Sequence, residues 1–480
     1  MIPGSPGFPR PPAAVLAAAL ATVLLPSGLT AAERPAPPVA SPDTLRLTLD
    51  DAVARALTAG IEMRIADADV RIAAGRVREA AADALPKIAG SVTYTRKFDS
   101  IFAGASGDTT IGPLFANSPF GAANTWDAQL SGSQVLLSRR VGAALAAARS
   151  FRKAAEDRRR ETAAQVAYAA RRAYLDAAFA GEVLAIARGS LELARRTERD
   201  VELLHRQGAR AEYDLIRAQV DARNAEPPVV AAANQHATAL LELRRILGLP
   251  LDQPVALTTL LRLDGDRVPV PDATGLGAPE RAGVRAADHN VETYRKALSY
   301  EGAARWPDLV ASATVSHQAF PSGGLPDRDQ FRRAIQGSLK LDFPLVLGLR
   351  TFGSVARARA ELRRAEAERD QLRRQVAVEA ETARQEVWRT LAELRARRGT
   401  AALARRAHQI ATVRYANGIA TPLELSDARL QLQTSEVNEV QAIKDYLAAL
   451  AGLEFALGRP VPTAPMPLDQ LPTPVGDEVK

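Results

Sequence analysis

Tyr415-Ala416-Asn417-Gly418-Ile419-Ala420-Thr421-Pro422-Leu423-Glu424-Leu425 ends one helix and begins another. Gly418 stands where a helix needs a left-handed residue to satisfy its last carbonyls. Thr421 then offers a side-chain oxygen to the free N–H groups of the next helix. Pro422 takes the first helical position, where no N–H is required, and Glu424 three residues on closes a capping box. The stretch therefore predicts a tight turn between two antiparallel helices.

The helices on either side are long. From about Phe352 to Arg414, apolar residues recur at Leu372, Val376, Ala380, Ala383, Val387, Leu391 and Leu394, which is an 11-residue period. That period imposes no left-handed supercoil. It suits helices running almost straight, side by side, in a cylinder, while an ordinary bundle with a loose pattern is the other reading. An earlier turn, His205-Arg206-Gln207-Gly208-Ala209-Arg210-Ala211, closes a proline-free stretch from Val141. As helix that stretch measures about 95 Å, longer than the interior of a compact domain. The first turn departs from the second in two ways: His205 replaces Tyr415, and no good capping side chain precedes Glu212.

The two turns belong to a tandem duplication. Arg64-Ile65-Ala66-Asp67-Ala68-Asp69-Val70 aligns with Arg285-Ala286-Ala287-Asp288-His289-Asn290-Val291, and the match runs ungapped to Leu85-Pro86 against Trp306-Pro307. Later, Gly208 matches Gly418, Asp214-Leu215 matches Glu424-Leu425, and Leu247-Gly248-Leu249-Pro250 matches Leu457-Gly458-Arg459-Pro460. The expected organisation is a first repeat over 33–250, a connector over 251–280 rich in Pro, Gly and Asp, a second repeat over 281–460, and a Pro-rich tail over 461–480, disordered or draped along the surface. Each repeat reads as helix, strand pair, very long helix, turn, long helix.

The strands alternate. Ile88, Gly90, Val92 and Tyr94 oppose Ala89, Ser91, Thr93 and Thr95. Trp126, Ala128, Leu130 and Gly132 oppose Asp127, Gln129, Ser131 and Ser133. Their repeat partners are Leu309, Ala311, Ala313 and Val315, and Ile335, Gly337, Leu339, Leu341 and Phe343. Segments of about ten alternating residues fit a membrane barrel. They fit a half-buried soluble sheet equally well. Between the paired strands, Phe98–Asn124 and Pro321–Gln330 read as loops.

At the N-terminus, Arg10 precedes the apolar run Ala13–Leu25, then Pro26-Ser27-Gly28 and the small residues Thr30-Ala31-Ala32. This is the pattern of a secretory signal peptide over 1–32. The run is too short to span a bilayer, which takes about 20 residues. A membrane-spanning mature chain would therefore have to be a β-barrel. The absence of cysteine excludes disulfides, a thiolate metal site, a cysteine nucleophile and a lipidated N-terminal Cys. The formal charge of +7 over 480 residues comes from interleaved acids and bases on helix faces, as in Arg363-Arg364-Ala365-Glu366. That pattern points to solvated ion pairs and no nucleic-acid partner. His205, His236, His289, His317 and His408 lack metal-ligand spacing, and no phosphate-cradling loop appears, so no enzyme, cofactor or metal is expected.

Along nearly all of its mature length the chain resembles the TolC-like outer-membrane efflux proteins. The resemblance rests on Leu47-Thr48-Leu49-Asp50-Asp51-Ala52-Val53, on Leu85-Pro86-Lys87-Ile88 and Trp306-Pro307-Asp308-Leu309, on Leu341-Asp342-Phe343-Pro344-Leu345, and on Tyr415, Gly418, Glu424 and Leu425 at the turn. Val135 departs from the family corner that Pro344 supplies, and the acylated branch's N-terminal Cys is missing. The resemblance implies a mainly α fold whose tandem hairpins build an α-barrel. It also implies four strands per protomer contributing to a twelve-stranded transmembrane barrel in a homotrimer. It implies an outer-membrane exit duct with its tunnel in the periplasm, contacted by an adaptor (membrane fusion) protein and, indirectly, by an inner-membrane pump. By family position Glu424 and Asp427 would ring the constriction, although on spacing alone they are a cap residue and a solvated charge. The turns, with Gly208, Asp214, Leu215, Tyr415, Gly418, Ile419 and Leu425, would meet the adaptor, although Leu215, Ile419 and Leu425 could equally pack within their own hairpins. A duct for type I protein secretion and a periplasmic coiled-coil adaptor or scaffold are the alternatives.

Overall fold

The structure, a computed structural model, describes residues 44–98, 122–259, 261, 267–271, 279–321, 323, 325–345 and 349–467. The expected signal peptide, most of the first inter-strand loop and the end of the tail lie outside the described residues.

From Thr44 onward the elements follow the duplication. The first half holds β1 (Leu45–Leu47), α1 (Leu49–Ala59), α2 (Ile61–Ala82), β2 (Lys87–Arg96), β3 (Asn124–Leu137), α3 (Arg139–Arg206), α4 (Glu212–Asn224) and α5 (Glu226–Ile246). The connector carries β4 (Val255–Leu257) and β5 (Arg267–Pro271). The second half holds α6 (Ala282–Ala303), β6 (Asp308–Ala319), a 3-10 turn at Arg328–Gln330, β7 (Arg332–Asp342), α7 (Arg350–Ala416) and α8 (Pro422–Leu457), with β8 (Thr463–Pro467) beyond it.

Helix α3 has 68 residues and α7 has 67, each about 100 Å long. The stripe Val376, Ala380, Val387, Leu391 and Leu394 of α7 is buried, and Leu372 and Ala383 are partly so. The 11-residue period is thus the contact line with neighbouring helices. α3 is the hub and packs against α2, α5, α6 and α8. Its buried residues are mostly alanine (Ala154, Ala155, Ala170, Ala173, Ala177, Ala180, Ala187, Ala194), small enough to let backbones approach closely.

Both long helices stop as the sequence indicates. Gly208 and Gly418 adopt φ 73° and 72°. The Ala209 N–H bonds the Leu204 carbonyl and the Ile419 N–H bonds the Arg414 carbonyl, at 2.9 Å each. This is the six-residue closure of a Schellman turn. Gly248 and Gly458, at φ 64° and 73°, end the return limbs in the same way.

The return limbs differ. α8 is one continuous helix, whereas the first return limb breaks at Ala225 into α4 and α5, where Pro227 and Pro228 enter the first turn of α5. The connector and tail are also more ordered than expected. β1 pairs with β4 in parallel, and β5 pairs with β8 antiparallel. Each small sheet is anchored by a buried tyrosine. The Tyr174 hydroxyl donates to the Leu47 carbonyl and accepts from the Thr259 N–H, both at 3.0 Å. The Tyr446 hydroxyl donates to the Pro269 carbonyl. Around them lies the main core, including Met63, Val166, Leu243, Val268, Val270, Val387, Ile443 and Leu453.

The four longer strands form one antiparallel sheet in the order β2-β3-β6-β7, with β2 and β7 as open edges. β3 runs past a bulge between Val135 and Leu137. β7 stops at Asp342, before Phe343-Pro344, because proline cannot donate to the ladder. Phe343, counted above with the alternation, therefore lies just beyond the strand.

Candidate functional site

Two regions carry the expected function: the sheet, and the ends of the hairpins.

The sheet's register decides between the two readings of its strands. Ile88 pairs with Gly132, Val92 with Ala128 and Tyr94 with Trp126. Leu130 pairs with Val315, and Val315 with Ile335. Leu309 pairs with Leu341 and Ala311 with Leu339. One face is thus largely apolar, with Gln134, His317 and Arg333 among its residues, and the other carries Ser91, Thr93, Gln129, Ser131, Ser312, Thr314, Gln336 and Ser338. The apolar face is uncovered: Ile88 and Val92 are each 74% exposed and Leu339 is 66% exposed. A half-buried soluble sheet would bury that face and wet the other. Among the described residues no helix is long and apolar enough to cross a membrane. Aromatic residues mark both ends of the sheet. The rings of Tyr94 and Trp126 meet at a tilt, 4.9 Å apart, near the loops, and Trp306 and Phe343 lie exposed at the helix end.

At the hairpin ends, the Thr421 hydroxyl accepts from the Glu424 N–H at 3.3 Å. The expected capping box is only half formed, because the Glu424 carboxylate turns across the tip to Arg414 at 3.7 Å. Asp427, one turn on, is exposed. The sequence-predicted residues separate by burial. Ile419 is 68% exposed, Leu215 is half-buried, and Leu425 is only 8% exposed. Leu425 is thus buried, and it lines the crevice between the hairpins together with Pro422 and Tyr415.

The two tips touch. Arg210 of the first lies 5.2 Å above the Tyr415 ring of the second and 4.0 Å from Asp214. The His205 ring nitrogen Nδ1 contacts the Arg210 carbonyl at 3.0 Å. Burial pushes the Tyr415 phenol above its ordinary pKa.

Arg429 was not singled out from the sequence. Its Nη1 donates to the Ser190 carbonyl at 3.2 Å and to the Ser190 hydroxyl at 2.9 Å, tying α8 to α3. Burial lowers its guanidinium pKa. The available signal was spacing, since Arg429 follows buried Leu425 by four residues and shares its face. Further along, Arg405 bridges to Glu436 at 3.3 Å and Glu439 at 2.6 Å, tying α7 to α8. Arg398, Arg405 and Arg429 border a cleft of about 820 Å³ between α3 and the second hairpin. Among the described residues no group of His, Asp or Glu is arranged to hold a metal ion.

The fold built in this way is similar to that of solved outer-membrane channels. Residues 279–459, the second repeat, match the family described as outer membrane efflux protein. Among solved structures, the outer membrane protein VceC from Vibrio cholerae is 21% identical with a TM-score of 0.68, covering 86% of this chain and 96% of its own. The CmeC outer membrane channel of Campylobacter jejuni is 16% identical at TM-score 0.70, with 85% of each chain covered. The open-state MtrE outer membrane channel of Neisseria gonorrhoeae is 18% identical at TM-score 0.66, covering 86% and 89%. No curated protein matches the sequence.

Proposed function

We propose that the chain is the outer-membrane exit-duct subunit of a tripartite efflux pump, exported by its N-terminal signal and passive in transport. The carrying observation is the four-stranded sheet with an uncovered apolar face and two open edges. Open edges are not tolerated in lipid, so the sheet must close through other copies. Three copies give a barrel of about twelve strands, within the range of known membrane barrels. The repeats 33–250 and 281–460, joined by the connector 251–280, then place their hairpins in the periplasm as a tunnel. The exposed tips, with Ile419 and the Arg210–Tyr415 contact, are offered to an adaptor's helices. Glu424 and Asp427, repeated around the symmetry axis, form a cation-favouring constriction.

The test is heat-modifiable gel mobility of the purified outer-membrane fraction, with planar-bilayer conductance. An oligomer that falls to monomer on boiling and forms discrete channels is the expected result. A water-soluble periplasmic protein without conductance would overturn the proposal in favour of an adaptor or scaffold.

A further inference from the structure

The helix end of the sheet holds cations that the rest of the chain does not explain. Along the long helices many arginines are matched to acids a turn away, as Arg152 to Glu156, Arg357 to Glu361, Arg364 to Glu368, and Arg389 to Glu386 and Glu393. Three arginines at the sheet–helix junctions are not matched in this way. Arg139, Arg305 and Arg350 are exposed and pair with no carboxylate among the described residues. Lys87, at the remaining junction, is matched by Asp83 at 2.8 Å.

Helix energetics do not account for these arginines. α1, α2, α4, α5 and α8 each carry an acid in the first turn, as the helix dipole favours. α6 carries none, but its N-cap Arg281 is paired with Glu161 and Glu379; α3 and α7, the two helices that leave the sheet, carry none either, and begin with Arg139-Arg140 and Arg350. A cation there works against the dipole of its own helix.

The surroundings indicate what offsets that cost. Leu136, Leu137, Trp306, Phe343, Leu345, Leu349 and Phe352 are all exposed beside these arginines. The Arg139 guanidinium carbon lies over the Trp306 ring, 3.9 Å from its centroid. Arg140 donates to the Tyr300 hydroxyl at 2.8 Å, and its Nε is buried with no hydrogen-bond partner. Exposed aliphatic and aromatic groups interleaved with unpaired guanidinium forks suit the boundary between acyl chains and phosphate headgroups.

We propose that this junction belt binds net-anionic phospholipid in the leaflet facing the helical hairpins, with Arg139, Arg305 and Arg350 contacting headgroup phosphate. The inference rests on the barrel reading above. The test reconstitutes the full-length oligomer in nanodiscs of phosphatidylcholine alone or mixed with phosphatidylglycerol. The temperature of oligomer dissociation and the lipid retained on the protein are then measured. Phosphatidylglycerol should raise the dissociation temperature by several degrees at low salt, and high salt should abolish the gain. Enrichment of the anionic lipid should fall about fivefold per cation removed in the Arg139→Gln, Arg305→Gln, Arg350→Gln variant. The corresponding Arg→Lys variant should keep most of it, separating charge from folding. A wild-type oligomer indifferent to the anionic lipid, or a Gln variant that responds like wild type, overturns the belt. Failure of the protein to enter nanodiscs of either composition as an oligomer instead overturns the barrel itself.

Discussion

At the scale of single residues, Gly418 and Gly458 perform the same turn under different constraints. Both have φ near +72° to +73°, where any L side chain is strained by about 1–2 kcal/mol. A Cβ on Gly418 would meet open space, whereas on Gly458 it would fall 2.9 Å from the backbone of Arg281 and from the Glu280 carbonyl. Gly418→Ala should therefore cost only the conformational term. Gly458→Ala adds overpacking, for a total of about 2–4 kcal/mol. Thermal loss of helical circular dichroism checks the ranking, and equal shifts would contradict it. His408 supports a pH prediction. Burial lowers its pKa below 6.5, with Arg429 adding to the shift and Glu436 opposing it. His236 shifts in the same direction through burial, beside Arg188. The unfolded chain then takes up protons before the native one does, so stability is lost as pH falls below about 6.5. His408→Gln should flatten that loss in thermal midpoints taken from neutral pH to about pH 5, and an unchanged slope would contradict it. At this scale the sequence was only partly legible. Gly208 and Gly418 were readable because handedness restricts those sites almost to glycine. Glu424's turn to Arg414 was not, because a three-residue spacing cannot tell a capping bond from an ion pair across the tip.

At the scale of elements, legibility followed repetition and length. The stripe of α7 and the alternation of β2, β3, β6 and β7 extend over many residues, so their period stands out from chance. β1, β4, β5 and β8 are three to five residues long, too short for any period. β5 and β8 also read Arg-Val-Pro-Val-Pro and Thr-Ala-Pro-Met-Pro, compositions that mimic irregular chain. Their pairing works because Pro269 faces Pro465 in register. The missing donors thus fall together, and Val268, Val270, Ala464 and Met466 keep N–H groups for the ladder. The sheet fastens the connector over the core through the buried Val268 and Val270 and through Tyr446. Removing residues 463–480 should uncover those valines and leave β5 unpaired. Protease cleavage between Val255 and Pro271 should then become at least several-fold faster while the long hairpins survive. A cleavage rate unchanged by the truncation would mean that β8 does not hold the connector.

At the scale of the whole molecule, the proposed constriction depends on copies that no single chain contains. Glu424 and Asp427 differ in how they are held. Glu424 faces Arg414 at 3.7 Å with both side chains about half exposed, a surface pair worth at most about 1 kcal/mol. Asp427 lies exposed on the same helix, one turn on. Such carboxylates gain little from their own protomer, and threefold repetition would bring six of them around one axis. Close like charges repel one another and attract cations strongly. Removing the ring should therefore widen and neutralise the path. Glu424→Ala combined with Asp427→Ala should raise single-channel conductance in planar bilayers, lower cation selectivity and weaken block by multivalent cations. Leu425, buried between these two residues, keeps the helix seated, so the double variant should still assemble as a heat-modifiable oligomer. The contrast between substitutions makes the experiment specific. Arg414→Ala frees Glu424 without removing its charge, so it should leave cation block in place. Unchanged conductance and block in the double variant would move the constriction elsewhere in the tunnel and leave Glu424 as the surface partner of Arg414 alone.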